Sequence, residues 1–302
     1  MTSLQYGLLI AIMLGFTVLE FVLHRAQHFH ATAGDNTLDM LGFALLAAFT
    51  QPFIMWASGK VGWAVAQQYQ NALADLPWYT MVGLLLVGDD MLQYGWHRLS
   101  HSPLLWPLHR AHHSAQYMSA RIIYRNNFFY YLGMPAIWCL GFLVYLGLGQ
   151  MYLVYIVAKL AVITGAHSSV RWDEPLYKVK ALRPLMWLVQ RSISTPATHF
   201  AHHAMSHTDG IGSYSGNFGN LLFFWDVLFG SAHITQRYPA KVGLRDDELF
   251  GAEKWWVELF DPLFRSQRQH SALTPGGKPF VDTPQVLAQF DAQRQDALGI
   301  SQ

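Results

Sequence analysis

HRLSHSPLLWPLHRAHH, residues His97 to His113, places five histidines within seventeen positions, spaced HxxxH and then HxxHH. On a helix, residues i and i+4 stand one above the other, and i+3 borders the same face. His97 and His101 therefore point one way, and His109, His112 and His113 form a second converging set. Neutral imidazole is the commonest side-chain metal ligand, so the stretch predicts a metal site rather than a solvated histidine-rich loop. Pro103 ends the first histidine helix, and Pro107 suits the first turn of the next.

The flanks extend this pattern. Upstream, the apolar segment 78–94 carries Asp89 and Asp90 in its last turns. Carboxylates at membrane depth are costly and usually functional. Asp90 shares a helical face with His97, so it is expected to accept the second ring N–H of a ligand histidine and fix its tautomer. Downstream, two apolar stretches, 128–148 and 151–166, are joined by Gly147-Leu148-Gly149-Gln150, which predicts a tight helical hairpin ending at His167. Thr195 is a good N-cap and Pro196 a good first residue for a short helix carrying His199, His202 and His203, again HxxHH. The turn signal Asp209-Gly210 closes that region.

His97, His101, His109, His112, His113, His167, His199, His202 and His203 exceed the four ligands of one tetrahedral ion. Two metals sharing these rings fit better. Imidazole suits zinc, copper, iron and nickel alike, so ligand type leaves the metal open. No HExxH is present, which weighs against a zinc-dependent membrane lipid hydrolase. A metal transporter would carry its polar ligands in mid-membrane along a path, whereas these gather beside the spans.

Composition supplies the setting. The 302 residues are 52% hydrophobic and only 13% charged, against roughly 25% charged in an ordinary soluble domain. One cysteine, Cys139, excludes a disulfide framework or a cysteine-rich cluster, and a net charge of +1 argues against nucleic acid. Apolar segments near 4–23, 38–57 (with a kink expected at Gln51-Pro52), 78–94, 128–148 and 151–166 predict an all-α integral membrane protein of four to five spanning helices. The first lacks the charged start and cleavage signal of a signal peptide and is expected to stay as a membrane helix. Arg25, Arg171, Lys178, Lys180 and Arg183 fall on the side of the histidines and Lys60 on the other, which turns a histidine-rich helical cap toward the cytoplasm. Residues 171–190 read as an interfacial amphipathic segment. The expected organisation is membrane helices over 1–84, a catalytic region over 85–240 and a soluble tail over 241–302.

HRLSH, HRAHH and HFAHH, in this order, resemble the three histidine boxes of the sterol desaturase/fatty acid hydroxylase superfamily. Asp90 before the first box, the context LLWPLHRAHHS, His167 in GAHSSVR, Thr195-Pro196, and NFG (217–219) leading into WDVLFGS (225–231) extend the resemblance over roughly 85–240. It implies a membrane diiron enzyme with the nine histidines as ligands. Such an enzyme uses O2 to hydroxylate or desaturate a lipid C–H bond, on a sterol or fatty acyl chain for example. No flavin, haem or iron–sulfur motif is present, so electrons are expected from an external ferredoxin-, rubredoxin- or cytochrome b5-like donor. The basic residues Arg98, Arg110 and Arg121 are its expected docking face. Ser169 stands where the family often carries Asn, and His207 follows the third box as a candidate extra ligand. His24 and His28 share HxxxH spacing outside the boxes. With His30 they read as headgroup-facing residues, and His233 and His270 are assigned no role.

Overall fold

The computed structural model describes residues 3–23, 31–268, 270–278 and 288. Among these residues all regular structure is helical, apart from one bridge pairing Ala204 with Val242. In chain order the first helices are α1 (Ser3–Val22), α2 (Ala33–Leu45), α3 (Gln51–Ala66), α4 (Trp78–Leu85) and α5 (Leu92–Ser100). Next come α6 (Trp106–His113), α7 (Phe128–Leu132), α8 (Pro135–Leu143) and α9 (Gly149–His167). The remainder is α10 (Glu174–Lys178), α11 (Arg183–Ser192), α12 (Pro196–His202), α13 (Phe224–Phe229), α14 (Arg245–Phe250) and α15 (Trp255–Phe260). Two runs, Ala33–Tyr69 and Pro135–His167, are long and apolar enough to cross a membrane, and Ile10–Val22 is a shorter apolar helix.

Local sequence explains the interruptions. Pro52 lacks an N–H to continue the α-helical ladder, and a π turn at Leu46–Thr50 takes up the mismatch between α2 and α3. The kink expected at Gln51-Pro52 is thus a π turn just ahead of it. A second π turn, Leu86–Met91, joins α4 to α5 and contains both Asp89 and Asp90. The run Pro135–His167 is no single rod. Gly147 has φ of 114°, and an added Cβ there would lie 2.8 Å from the backbone nitrogen of Ala74. That conformation and that space admit only glycine. The N–H groups of Asn71 and Leu73 bond the carbonyls of Tyr145 and Leu146. The chain therefore turns back at Gly147, as the hairpin reading expects.

α4 and α5 pack among the arms of this hairpin. Met81, Leu85, Leu140, Leu148, Tyr152 and Tyr155 form one buried cluster. Within it Lys159 pairs with Asp89, which also accepts from the Tyr155 hydroxyl at 2.8 Å. At the other end, Met134 and Ala136 pack with Trp96 and Leu92, so α5 and both arms end on the same side. On α11, Leu185, Trp187 and Leu188 are more than half exposed, between Arg183 and Arg191.

The C-terminal region needs a correction. Leu259 and Leu273 are fully buried, and Leu259 packs with Leu38 of α2 and Ala111 of α6. Arg110 of α6 pairs with Asp246, Asp247 and Glu258. As far as residue 278 the expected soluble tail is a clamp on the back of α6. Local pattern does not reveal the clamp, because the charges that Arg110 pairs with lie more than 130 positions away.

Candidate metal centre

Each box sits on a helix whose ends the sequence marks. Thr195 caps α12 by accepting from the Thr198 N–H, and Pro196 follows in the first turn. Pro107 occupies the first turn of α6. His97 lies in the last turn of α5, and His101 caps its C-terminal end.

All nine expected histidines meet, in two groups. His97, His101, His109, His113 and His202 form one, and His112, His167, His199 and His203 the other; within each, the ligand atoms lie within 4.8 Å of one another. The partition is not one group per box. In α6 the i,i+4 pair His109/His113 joins the first group while His112 turns to the second; in α12 the pair His199/His203 joins the second while His202 turns to the first. One HxxHH box thus serves both groups, and the expectation that its three rings share one destination is corrected. The groups adjoin, with the His113 and His203 rings stacked at 4.4 Å.

The ring nitrogens show what the site fits. His97 Nδ1 donates to the Phe218 carbonyl at 2.7 Å, and His202 Nδ1 to the Gly216 carbonyl at 2.7 Å. A carbonyl only accepts, so in each neutral ring Nε2 carries a lone pair. Those two Nε2 atoms face each other at 3.0 Å. Burial lowers the pKa of both rings, for His97 to about 4, so a shared proton is a poor bridge. A bound cation resolves the conflict. With ligand bonds of about 2.1 Å, cis nitrogens on one ion stand roughly 3.0–3.4 Å apart. The other contacts agree: His109–His113 at 3.3 Å, His112–His167 at 3.4 Å, His167–His199 at 2.9 Å and His199–His203 at 3.1 Å. His101 Nε2 is buried without a hydrogen-bond partner among the described residues, as a ligand atom would be. Burial, and then the neighbouring rings, also hold His101, His112, His113, His199 and His203 well below the ordinary imidazole value, which keeps them in the ligating form. The residues present can therefore hold two metal ions.

Around the rings is a scaffold that sequence reasoning read only in part. Among the described residues, Asp90 bonds no histidine. It accepts from the Leu221 and Leu222 N–H groups and from Trp225 Nε1 at 2.8 Å, anchoring the loop whose Phe218 carbonyl holds His97. The π turn rotates its carboxylate away from the face that continuous α-helical counting assigned. Asp226, fully buried in an apolar helix, shapes the same loop by accepting from Phe218 and Gly219 N–H. Asn126 accepts from His109 Nδ1 at 2.9 Å. Glu20 accepts from Ser119 Oγ, Ala120 N–H, Ser168 Oγ and Ser169 N–H, tying α1 to the loops beside His167. A lone carboxylate in the apolar run 4–23 was the signal for it. Ser169 Oγ is buried without a hydrogen-bond partner.

Other expected residues stand apart. His207 is exposed and bonds the Tyr214 hydroxyl, His233 lies near the Gly210 carbonyl, and His270 packs on Phe250. His24, His28 and His30 lie outside the described residues. Arg110 is withdrawn from the expected docking face: it is 1% exposed and neutralised by three carboxylates. Arg121 is partly buried against Asn36 and Asp39, while Arg98 is exposed.

A sequence model of the fatty acid hydroxylase family matches residues 82–231, the stretch from α4 to the end of α13 that carries every one of these rings. Residues 82–231 belong to the fatty acid hydroxylase family. Alkylglycerol monooxygenase of Xenopus tropicalis is 23% identical over 250 residues, which is 74% of this chain and 49% of that protein. The chain thus spans about half the length of this curated relative. No solved structure matches it. Within the family domain Asn126 offers a direct check on the scaffold. Asn126→Leu leaves His109 Nδ1 without an acceptor, and metal affinity measured by competitive chelation is expected to fall about 10- to 100-fold. An unchanged affinity would remove Asn126 from the site.

Proposed function

We propose that this chain is an O2-dependent lipid hydroxylase, an oxidoreductase of the monooxygenase type, with two iron ions held by its nine clustered histidines. The observation that carries the reading is the pair of facing Nε2 lone pairs on His97 and His202, inside a double cluster at the end of apolar helices. Iron at such a site supplies O2 activation for attack on an unactivated C–H bond. The chain's own part is to hold the rings through the Phe218, Gly216 and Ile163 carbonyls and Asn126, and to keep water out. Every one of the nine rings except His101 is buried.

The substrate we propose is the alkyl or acyl chain of a membrane lipid. Family membership and the relative's name, alkylglycerol monooxygenase, support hydroxylation over desaturation. We further propose that α1, the Ala33–Tyr69 run, the α4–α5 helix and the arms of the Gly147 hairpin provide four to five membrane segments. Residues 85–240 would then be the catalytic unit, with the histidines on the cytoplasmic side. Electrons come from an external redox protein, with Arg98 exposed on that face.

The deciding experiment supplies labelled O2 to membranes containing the chain and follows lipids by mass spectrometry. A product heavier by one labelled oxygen is expected. Label arriving from water instead indicates a zinc hydrolase, loss of two hydrogens indicates desaturation, and metal uptake into sealed vesicles without product indicates a transporter.

A further inference from the structure

A cavity of about 410 Å³ lies beside the third histidine box, lined by Phe200 and Met205 but by none of the histidines. Its polar lining comes from Arg171, Lys241, Gln116, Tyr117 and Glu248. Arg171 is the unusual member. Its guanidinium stacks over Tyr238 at 4.2 Å and Phe200 at 5.6 Å, which fixes its plane. Its Nε is buried without a hydrogen-bond partner, and no carboxylate pairs with it among the described residues. A buried donor without an acceptor costs roughly 1–3 kcal/mol, a cost that an acceptor entering the cavity would relieve. Lys241 stands at the rim, paired with Glu248 at 2.5 Å, and its ammonium is largely exposed. The planar fork of a guanidinium matches the oxygens of a phosphate.

The cavity's depth narrows the source of that phosphate. Glu20, in the last turn of α1, bonds Ser119 and Ser169, each two residues from a lining residue, Tyr117 and Arg171. The cavity therefore sits where an apolar helix ends, which under the proposed membrane arrangement is the level of lipid headgroups. Its volume also exceeds what a bare phosphate fills and falls within the ~300–1,000 Å³ of small-molecule sites.

We propose that this cavity binds the phosphate of a lipid headgroup, with Arg171 as the principal contact and Lys241 as the second. The lipid occupant rests on the lipid-oxidising reading above. The phosphate contact does not, because it is measured without turnover.

The test is calorimetric titration of the detergent-solubilised, metal-loaded full chain with inorganic phosphate, glycerol 3-phosphate and a single-chain lysophosphatidate. Saturable binding of all three is expected. Arg171→Gln should weaken it by about tenfold or more and Arg171→Lys should recover part of the loss, as the deletion of a charge-assisted hydrogen bond predicts. Lys241→Gln, an exposed substitution that spares the fold, is expected to weaken phosphate binding by a smaller factor. Binding equal to the parent in Arg171→Gln, or no saturable phosphate binding in the parent, overturns the proposal. Lysophosphatidate should bind roughly tenfold tighter than glycerol 3-phosphate through its buried chain; equal affinities overturn the lipid assignment.

Discussion

Alanine at His112 is expected to abolish turnover and to lower bound iron from about two ions per chain to about one. His112 belongs to the smaller group, where its loss leaves His167, His199 and His203. Three imidazoles remain, fewer than the four donors of a closed tetrahedral site. Disturbing only the outer partners of a ligand costs about 10- to 100-fold in affinity, so removing the ligand itself should cost more than about a hundredfold. His101→Ala is the informative contrast. It reduces the five-membered group to four rings, and His101 itself sits at the end of α5 with its Nε2 without a partner. Iron retention should therefore be greater in His101→Ala than in His112→Ala. Metal per chain by plasma mass spectrometry, beside product formation on membrane lipids, reads both effects. A His112→Ala protein that keeps both ions and the parental rate would refute the site assignment.

This contrast rests on a feature that helical spacing half reveals. HxxHH marks a helix with three rings on a common side, and that much was legible in 109–113 and 199–203. The division of labour, in which each i,i+4 pair serves one group and the i+3 ring the other, appears only when the two helices face each other across the centre. The Gly147 hairpin and the Thr195 cap were legible because they depend on local backbone chemistry. Asp90 was placed on the correct helix but given the wrong partner. A π turn shifts the register of every residue after it, and no local pattern in Leu86–Met91 announces one. The role of Glu20 and the burial of Arg110, expected on the docking face, are hidden in the sequence for a different reason. Their partners lie about 100 or more residues away, and charge pairing over that range leaves no periodic trace.

Arg110→Ala is expected to cost about 3–5 kcal/mol of stability, the size typical of breaking one side of a buried ion pair. Arg110 is packed between α6 and the C-terminal segment, bonded to Asp246 at 2.9 Å and more closely to Asp247 and Glu258. Burial alone would weaken its hold on a proton, yet the three carboxylates raise its pKa well above the ordinary value. Its removal leaves Glu258 with Arg125 at 3.9 Å and the Ser114 hydroxyl, so a buried carboxylate loses its main counter-charge. Arg268 continues to pair with Asp246 and Asp247, which keeps the loss from being larger. Arg110→Lys should fail nearly as badly, because a point-like ammonium cannot span carboxylates from two separate helices. In detergent, the melting transition should fall on the order of 10 °C. The exposed Lys178–Glu174 pair provides the scale: Lys178→Ala should change stability by less than about 0.5 kcal/mol. Because Arg110 lies between His109 and His112, loosening the clamp should also release iron before the membrane helices unfold. Iron retained through the melt of Arg110→Ala, or a parental melting temperature, would show that the C-terminal segment only rests on α6.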